Sequence, residues 1–241
     1  MSDLPYTPAE EQGRNFRTRQ LITYLIIFAI VMFFAGLTSA YVVSMSGGYW
    51  VDINLPQAFH YSTAFILVSS VFAQLALRSA KGGAIARVPV FLGLTLALGI
   101  GFTVSQFKGW SELVAKGNFV VGSVLQNSGL YGADYSISLN GQPLVLEEDK
   151  FYLADDVVRV RPLNAELEEQ KNTASSYFYA LTVAHLAHLA AGLISLLVML
   201  IMALMGRYSA GSHAGLWSGV LYWHFLGGLW VYLLLFFRFV H

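Results

Sequence analysis

The chain has 241 residues, 56% of them hydrophobic and 12% charged, with a mean hydropathy of +0.58. Charged residues are about half as frequent as in soluble domains, which excludes a disordered chain and argues against an ordinary soluble one. Fourteen basic and fourteen acidic residues leave no net field to attract nucleic acid, and the absence of cysteine excludes disulfides, thiolate metal sites, cysteine nucleophiles and iron–sulfur clusters.

The charges are segregated. None falls in residues 20–51, 53–77, 88–107, 172–206 or 208–237. A helix needs about 20 apolar residues to cross the hydrocarbon core, and each window is long enough for one. The predicted helices are 20–45, 58–80, 87–110, 174–206 and 214–240. The first is read as a retained helix, because its apolar run is too long for a cleavable signal peptide. Pro5, Pro8, Pro56, Pro143 and Pro162 lie outside these helices, and Pro89 falls in a first turn, where proline is tolerated. The charge-free stretch 117–133 is rejected as a sixth span, since it is short and carries Gly117, Asn118, Gly122, Gln126, Asn127 and Gly129.

Three short connections carry the basic residues. Arg14, Arg17 and Arg19 precede the first helix, Arg78, Lys81 and Arg87 follow the second, and Arg207 follows the fourth. All three fall on one side of a five-helix path, and the opposite short segments hold only Arg238. By the positive-inside rule the N-terminus is cytoplasmic and the C-terminus lies on the outer side.

The fold class is therefore an all-α membrane protein with five spans and a small β-rich insertion between the third and fourth helices. It has three parts: residues 1–110, an outer cap over 111–173, and residues 174–241. In the cap, YSISLNGQPLVL alternates with period 2 around Asn140-Gly141, the strongest two-residue hairpin signal. Asp156–Arg161 (DVVRVR) reads as another strand, and NAELEEQKN as a polar stretch or short helix. The cap holds no phosphate cradle and no metal-ligand cluster. Excising about residues 135–165 is expected to leave the helices inserted.

Ionisable groups at membrane depth are functional candidates, and histidines are all that remains here. His185 and His188 share a face of the fourth helix with Thr182, Gly192 and Ser195, and His224 lies early in the fifth. They either ligate a haem or metal ion or hydrogen-bond between helices. Small pairs at Gly36/Ala40, Ser69/Ala73 and Gly101/Ser105 suggest close helix contacts. Tyr49, Trp50, Trp110, Tyr177, Tyr179 and Trp217 read as interfacial belts. The missing intramembrane acids weigh against a pump or transporter. The residues alone thus describe a scaffold or accessory subunit.

The last two helices carry a recognisable pattern. YFYALTVAHLAHLAAGLISL, with Thr182, His185, His188 and Gly192, resembles the paired-histidine helix of the haem–copper oxidase subunit III family. YWHFLGGLW, with Tyr222, Trp223, His224, Phe225 and Trp230, is similar to that family's YWHF segment and the tryptophan that follows it. LPQAFHYSTAFILVSS (Leu55, Pro56, Thr63, Ser69, Ser70), MFFAGLTSAY, and QFKGW with Gln106 and Trp110 fit as well. The match covers all five helices in order, as in the short five-helix bacterial forms. Ile30 and Gly227 stand where many members carry Glu and Asp, so the proton handling tied to those acids is not carried over.

The resemblance implies subunit III of a proton-pumping terminal oxidase, a cytochrome c oxidase in a bacterial plasma membrane. That complex reduces O₂ to water. Subunit III has no active site; it packs on subunit I, holds phospholipid and supports proton uptake, while haem and copper sit in subunits I and II. Thr182, His185, His188, Tyr222, Trp223, His224, Trp230, Gln106 and Trp110 would serve subunit or lipid contact, or helix–helix hydrogen bonding. The alternatives are subunit III of a quinol oxidase and a free-standing His-ligated haem or metal protein. The 111–173 loop exceeds the family's usual connection and is read as a docking surface for a further partner, such as a larger respiratory assembly.

Overall fold

The structure, a computed structural model, describes residues 8–209 and 213–240. Five long helices form where the charge-free windows lie: α1 (Pro8–Met45), α2 (Gln57–Lys81), α3 (Val88–Ala115), α5 (Thr173–Leu204) and α6 (Ala214–Phe239). All five are long and apolar enough to cross a membrane, the mark of a multi-pass membrane protein. α1 extends to Pro8, twelve residues before the expected 20–45, so Pro8 lies inside a helix and not outside it, at a first described position where proline is tolerated. Pro5 lies outside the described residues. The rejected stretch 117–133 forms no span: its one helical element is the 3₁₀ turn Val124–Gln126, beside isolated bridges at Ser123 and Tyr131.

Contacts divide the chain into two compact units. One takes the chain up to Phe33 with Ala64–Phe102 and Ala187–Leu229; the other takes Phe34–Thr63, Thr103–Leu186 and the chain from Trp230 on. Both draw on all five long helices.

The second unit contains the β structure. β1 (Tyr49–Ile53) pairs antiparallel with β2 (Tyr135–Leu139), and β2 turns at Asn140-Gly141 into β3 (Gln142–Pro143). Both turn residues lie at positive φ, as a two-residue hairpin of type I′ requires. β4 (Val145–Glu147) and β5 (Lys150–Tyr152) form a second hairpin, whose turn places Glu148 and Asp149 at positive φ without a glycine. The polar NAELEE run forms the short helix α4 (Asn164–Glu169).

β1 comes from the α1–α2 connection, so the sheet is not confined to the insertion. Five residue pairs join β1 to β2, from Tyr49↔Leu139 to Ile53↔Tyr135. Tyr49 Oη also donates to Glu166 at 2.9 Å, and Lys116 pairs with Asp134 at 2.9 Å. Excising 135–165 would therefore strip β1 of its partner strand. The belt reading of Trp50 and Tyr179 also fails, since both are buried. The Trp50 ring meets Tyr41 edge-on at 4.9 Å, and Tyr179 Oη donates to the Asn118 carbonyl at 2.9 Å.

Asp156–Arg161 is not a strand. Asp156 accepts hydrogen bonds from the backbone N–H groups of Val160 (3.3 Å) and Arg161 (3.0 Å), and Arg159 sits at φ +55. An aspartate that caps its own chain bends it, whatever the alternation of the side chains. These bonds hold the Asp156 carboxyl below the usual range, chiefly through the Arg161 N–H. Glu166 is lowered by Tyr49 and then Arg161, and Asp134 by Lys116. Groups with depressed values stabilise the fold above their unfolded pKa and lose that effect as pH falls through the folded one. Asp52 runs the other way, since burial raises it. The protection factors of the Val160 and Arg161 amides, each taken against the intrinsic exchange rate at the same pH, should accordingly be larger at neutral pH than below about pH 4. Equal protection at pH 3 and pH 7 would contradict this.

Three long helices end the same way. In α3 the Asn118 N–H returns to the Leu113 carbonyl (3.0 Å) and the Gly117 N–H to Val114 (3.0 Å), with Gly117 at φ +81. This is a Schellman cap, which needs a left-handed residue after the helix. α2 and α5 close alike at Gly83 and Gly206.

Candidate functional site

Four of the residues singled out in the sequence, Tyr222, Trp223, His224 and Trp230, lie on α6; Thr182, His185 and His188 lie on α5, and Gln106 and Trp110 on α3. Trp223 and Trp230 lie seven positions apart and so share one face of that helix. Each indole is buried, at 1% exposure.

In the first unit Trp223 is 1% exposed, and its Nε1–H donates to Ser69 Oγ of α2 at 2.9 Å. Its ring lies against two glycines. A Cβ built on Gly99 of α3 would stand 2.8 Å from the Trp223 ring, and one on Gly192 of α5 would stand 3.3 Å from it. One indole therefore gathers α2, α3 and α5 onto α6, and the small residues exist to let it in. Tyr222 Oη donates to the His188 carbonyl of α5 at 3.2 Å. His224 Nε2 shares a 3.2 Å hydrogen bond with Gln74 Oε1 of α2. The His188 ring lies 6.2 Å from that of Phe33.

In the second unit the Trp230 Nε1–H donates to Thr63 Oγ1 of α2 at 2.9 Å. Its ring lies 5.4 Å from the His185 ring of α5 and 5.8 Å from Phe59. Phe59 in turn packs on Gly109 of α3, where a Cβ would come within 2.5 Å of it. Two further bonds tie α3 to α2: Gln106 Nε2 to Ser62 Oγ (2.9 Å) and Ser105 Oγ to the Ala58 carbonyl (2.7 Å).

Not every expected residue joins helices by hydrogen bonding. Thr182 Oγ1 donates back to the Phe178 carbonyl of its own helix at 2.9 Å. Trp110 makes ring contacts with Phe107 (5.4 Å) and Tyr179 (6.2 Å), and its buried N–H finds no acceptor among the described residues. Close backbone approach also occurs elsewhere than expected. Nothing lies near Gly36, and Gly101 has only ordinary contacts, whereas Gly99, Gly109, Gly192 and Gly219 are tightly packed. Sequence reading missed Gln74, the partner of His224; its polarity in an apolar helix was the available signal.

Among the described residues no group of three His, Cys, Asp or Glu could hold a metal ion. The first unit also has two clefts beside Arg19, about 820 and 450 Å³ in volume. Arg19 and Arg207 line the larger with Val198, Met199 and Met202; Ile22, Ile26 and Ala191 line the smaller. The chemistry on view is bracing of helices and an apolar cleft with a cationic mouth. No protein-family profile matches the chain, and no curated protein is significantly similar to it.

Proposed function

We propose that this chain is the non-catalytic subunit III of a proton-pumping terminal oxidase, a cytochrome c oxidase that reduces O₂ to water in a bacterial plasma membrane. One observation carries the reading. Two of the hydrogen bonds that join α6 to α2, Trp223 to Ser69 and Trp230 to Thr63, are made by residues that create the resemblance. Such a motif specifies a packed helical surface and not a reaction centre. The chain packs against subunit I, leaving haem and copper to subunits I and II. The clefts beside Arg19 and Arg207 suit a phospholipid, with the phosphate at the guanidinium groups and acyl chains along the methionines and isoleucines. The basic connections support a cytoplasmic N-terminus.

Purification of the tagged chain from its own membranes in mild detergent tests the proposal. A haem-bearing catalytic subunit should accompany it, together with a copper-bearing subunit if cytochrome c is the donor; without the copper-bearing subunit the donor is quinol. A chain that purifies alone, with stoichiometric haem or metal bound, would overturn the reading. His224→Leu removes one interhelical hydrogen bond, worth about 1 kcal/mol in a membrane. Its expected effect is a modest loss of assembled complex, with haem per catalytic subunit unchanged. Haem loss from assembled complex would contradict it.

A further inference from the structure

DVVRVR has the alternation of a strand, yet among the described residues it pairs with no strand. Val157, Val158 and Val160 are instead 82%, 80% and 76% exposed. Single exposed valines need no explanation, but three within four residues form a patch of the kind that marks interaction sites. These valines do not hang on a slack loop. The Asp156 carboxylate accepts hydrogen bonds from the Val160 and Arg161 N–H groups. The Arg159 side chain donates to Glu147 at 2.7 Å and to the Asp156 carbonyl at 2.6 Å. Arg161 pairs with Glu166 at 2.6 Å. Five polar contacts thus hold the loop in the shape that presents its apolar side chains, which lowers the ordering cost of any association.

The charge around the patch selects the occupant. Both arginines of the loop are consumed by Glu147 and Glu166. Between Leu144 and Glu169 this leaves the carboxylates of Glu148, Asp149, Asp155, Asp156, Glu168 and Glu169 against Lys150 alone. An exposed apolar patch carried by so acidic a segment has the composition of a protein interface and is complementary to a basic surface. It is a poor membrane anchor, because anionic headgroups repel carboxylates and attract cations. We propose that the Val157–Val160 loop is the apolar centre of a docking site for a protein with a basic, shallowly pocketed surface on the cap side of the membrane. This does not depend on the oxidase reading, since it rests on the cap alone.

The test places a photo-cross-linking benzoylphenylalanine at Val158 in the full chain, in its native membranes. The position is exposed, so insertion and far-ultraviolet circular dichroism should match the parent. Cross-linked peptides are then identified by mass spectrometry. The expected result is one protein segment in which Lys and Arg outnumber Asp and Glu, with a yield at least about threefold lower at 500 mM than at 50 mM salt, as screening requires. Changing Glu148, Asp149, Glu168 and Glu169 together to their amides should lower the yield comparably. Adducts confined to lipid, an acidic segment, a second copy of this chain, a yield indifferent to salt or to the amide changes, or no adduct at all would each overturn the proposal.

Discussion

Trp223→Ala is expected to be the most damaging single change at the helix seam. The indole lies between α2, α3, α5 and α6 in the first unit, against Gly99 and Gly192, with Leu193 and Leu226 completing the contact at those glycines. Tryptophan-to-alanine changes in soluble cores cost about 3–5 kcal/mol, part of which is transfer to water. That part is small where lipid is the solvent, so the packing loss that remains is about 2–4 kcal/mol. The midpoint of thermal unfolding in detergent should fall by roughly 5–10 °C. In the oxidase reading, less of the chain should co-purify with its partners, while haem per catalytic subunit stays constant. Trp223→Phe keeps most of the volume and loses the donor to Ser69, for about 1 kcal/mol. A Trp223→Ala protein as stable as Trp223→Phe would show that the indole does not hold the helices.

Gly117→Ala is expected to be comparably severe for a different reason. Gly117 is at φ +81, where an alanine costs about 1–2 kcal/mol. Its added Cβ would lie 1.9 Å from the backbone oxygen of Gln126. A backbone oxygen cannot rotate away as a side chain does, so the turn around Val124–Gln126 must move, and a total above about 3 kcal/mol follows. Gly132→Ala is the matched control: it has the same φ, +81, with nothing within 4 Å of the new Cβ, and should cost only the conformational term. Unfolding midpoints of the two variants separate the effects. Equal midpoints would mean that the contact with Gln126 does not constrain the chain.

What the sequence disclosed depended on how local each signal was. The five helices follow from where charges are absent, a property of long windows that tertiary packing cannot reverse. Asn140-Gly141 marks its hairpin because only the turn itself decides that geometry. β1 was invisible for the opposite reason: Tyr49–Ile53 includes Asp52 and becomes a strand only through β2, far along the chain. The second hairpin escaped because Glu148 and Asp149 adopt positive φ without the usual glycine. Asp156–Arg161 misled because alternation is also met by a loop whose aspartate caps its own backbone. Spacing of small residues showed which pairs could meet, not which face of each helix turns inward, so Gly36 was favoured over Gly99. The seam was legible only through the YWHF resemblance, and Gln74 lay outside that pattern.

The pairing of β1 with β2 also sets a timetable for biogenesis. Once β1 leaves the ribosome it waits as a lone edge strand while α2, α3 and the chain up to Tyr135 are synthesised. At the usual pace of translation that interval is on the order of ten seconds. For that time Trp50 and Val51, later buried, face the solvent or the insertion machinery. The cap thus closes only after three spans have been threaded, and a stalled nascent chain would display its unpaired strand to the quality-control proteases of the cell.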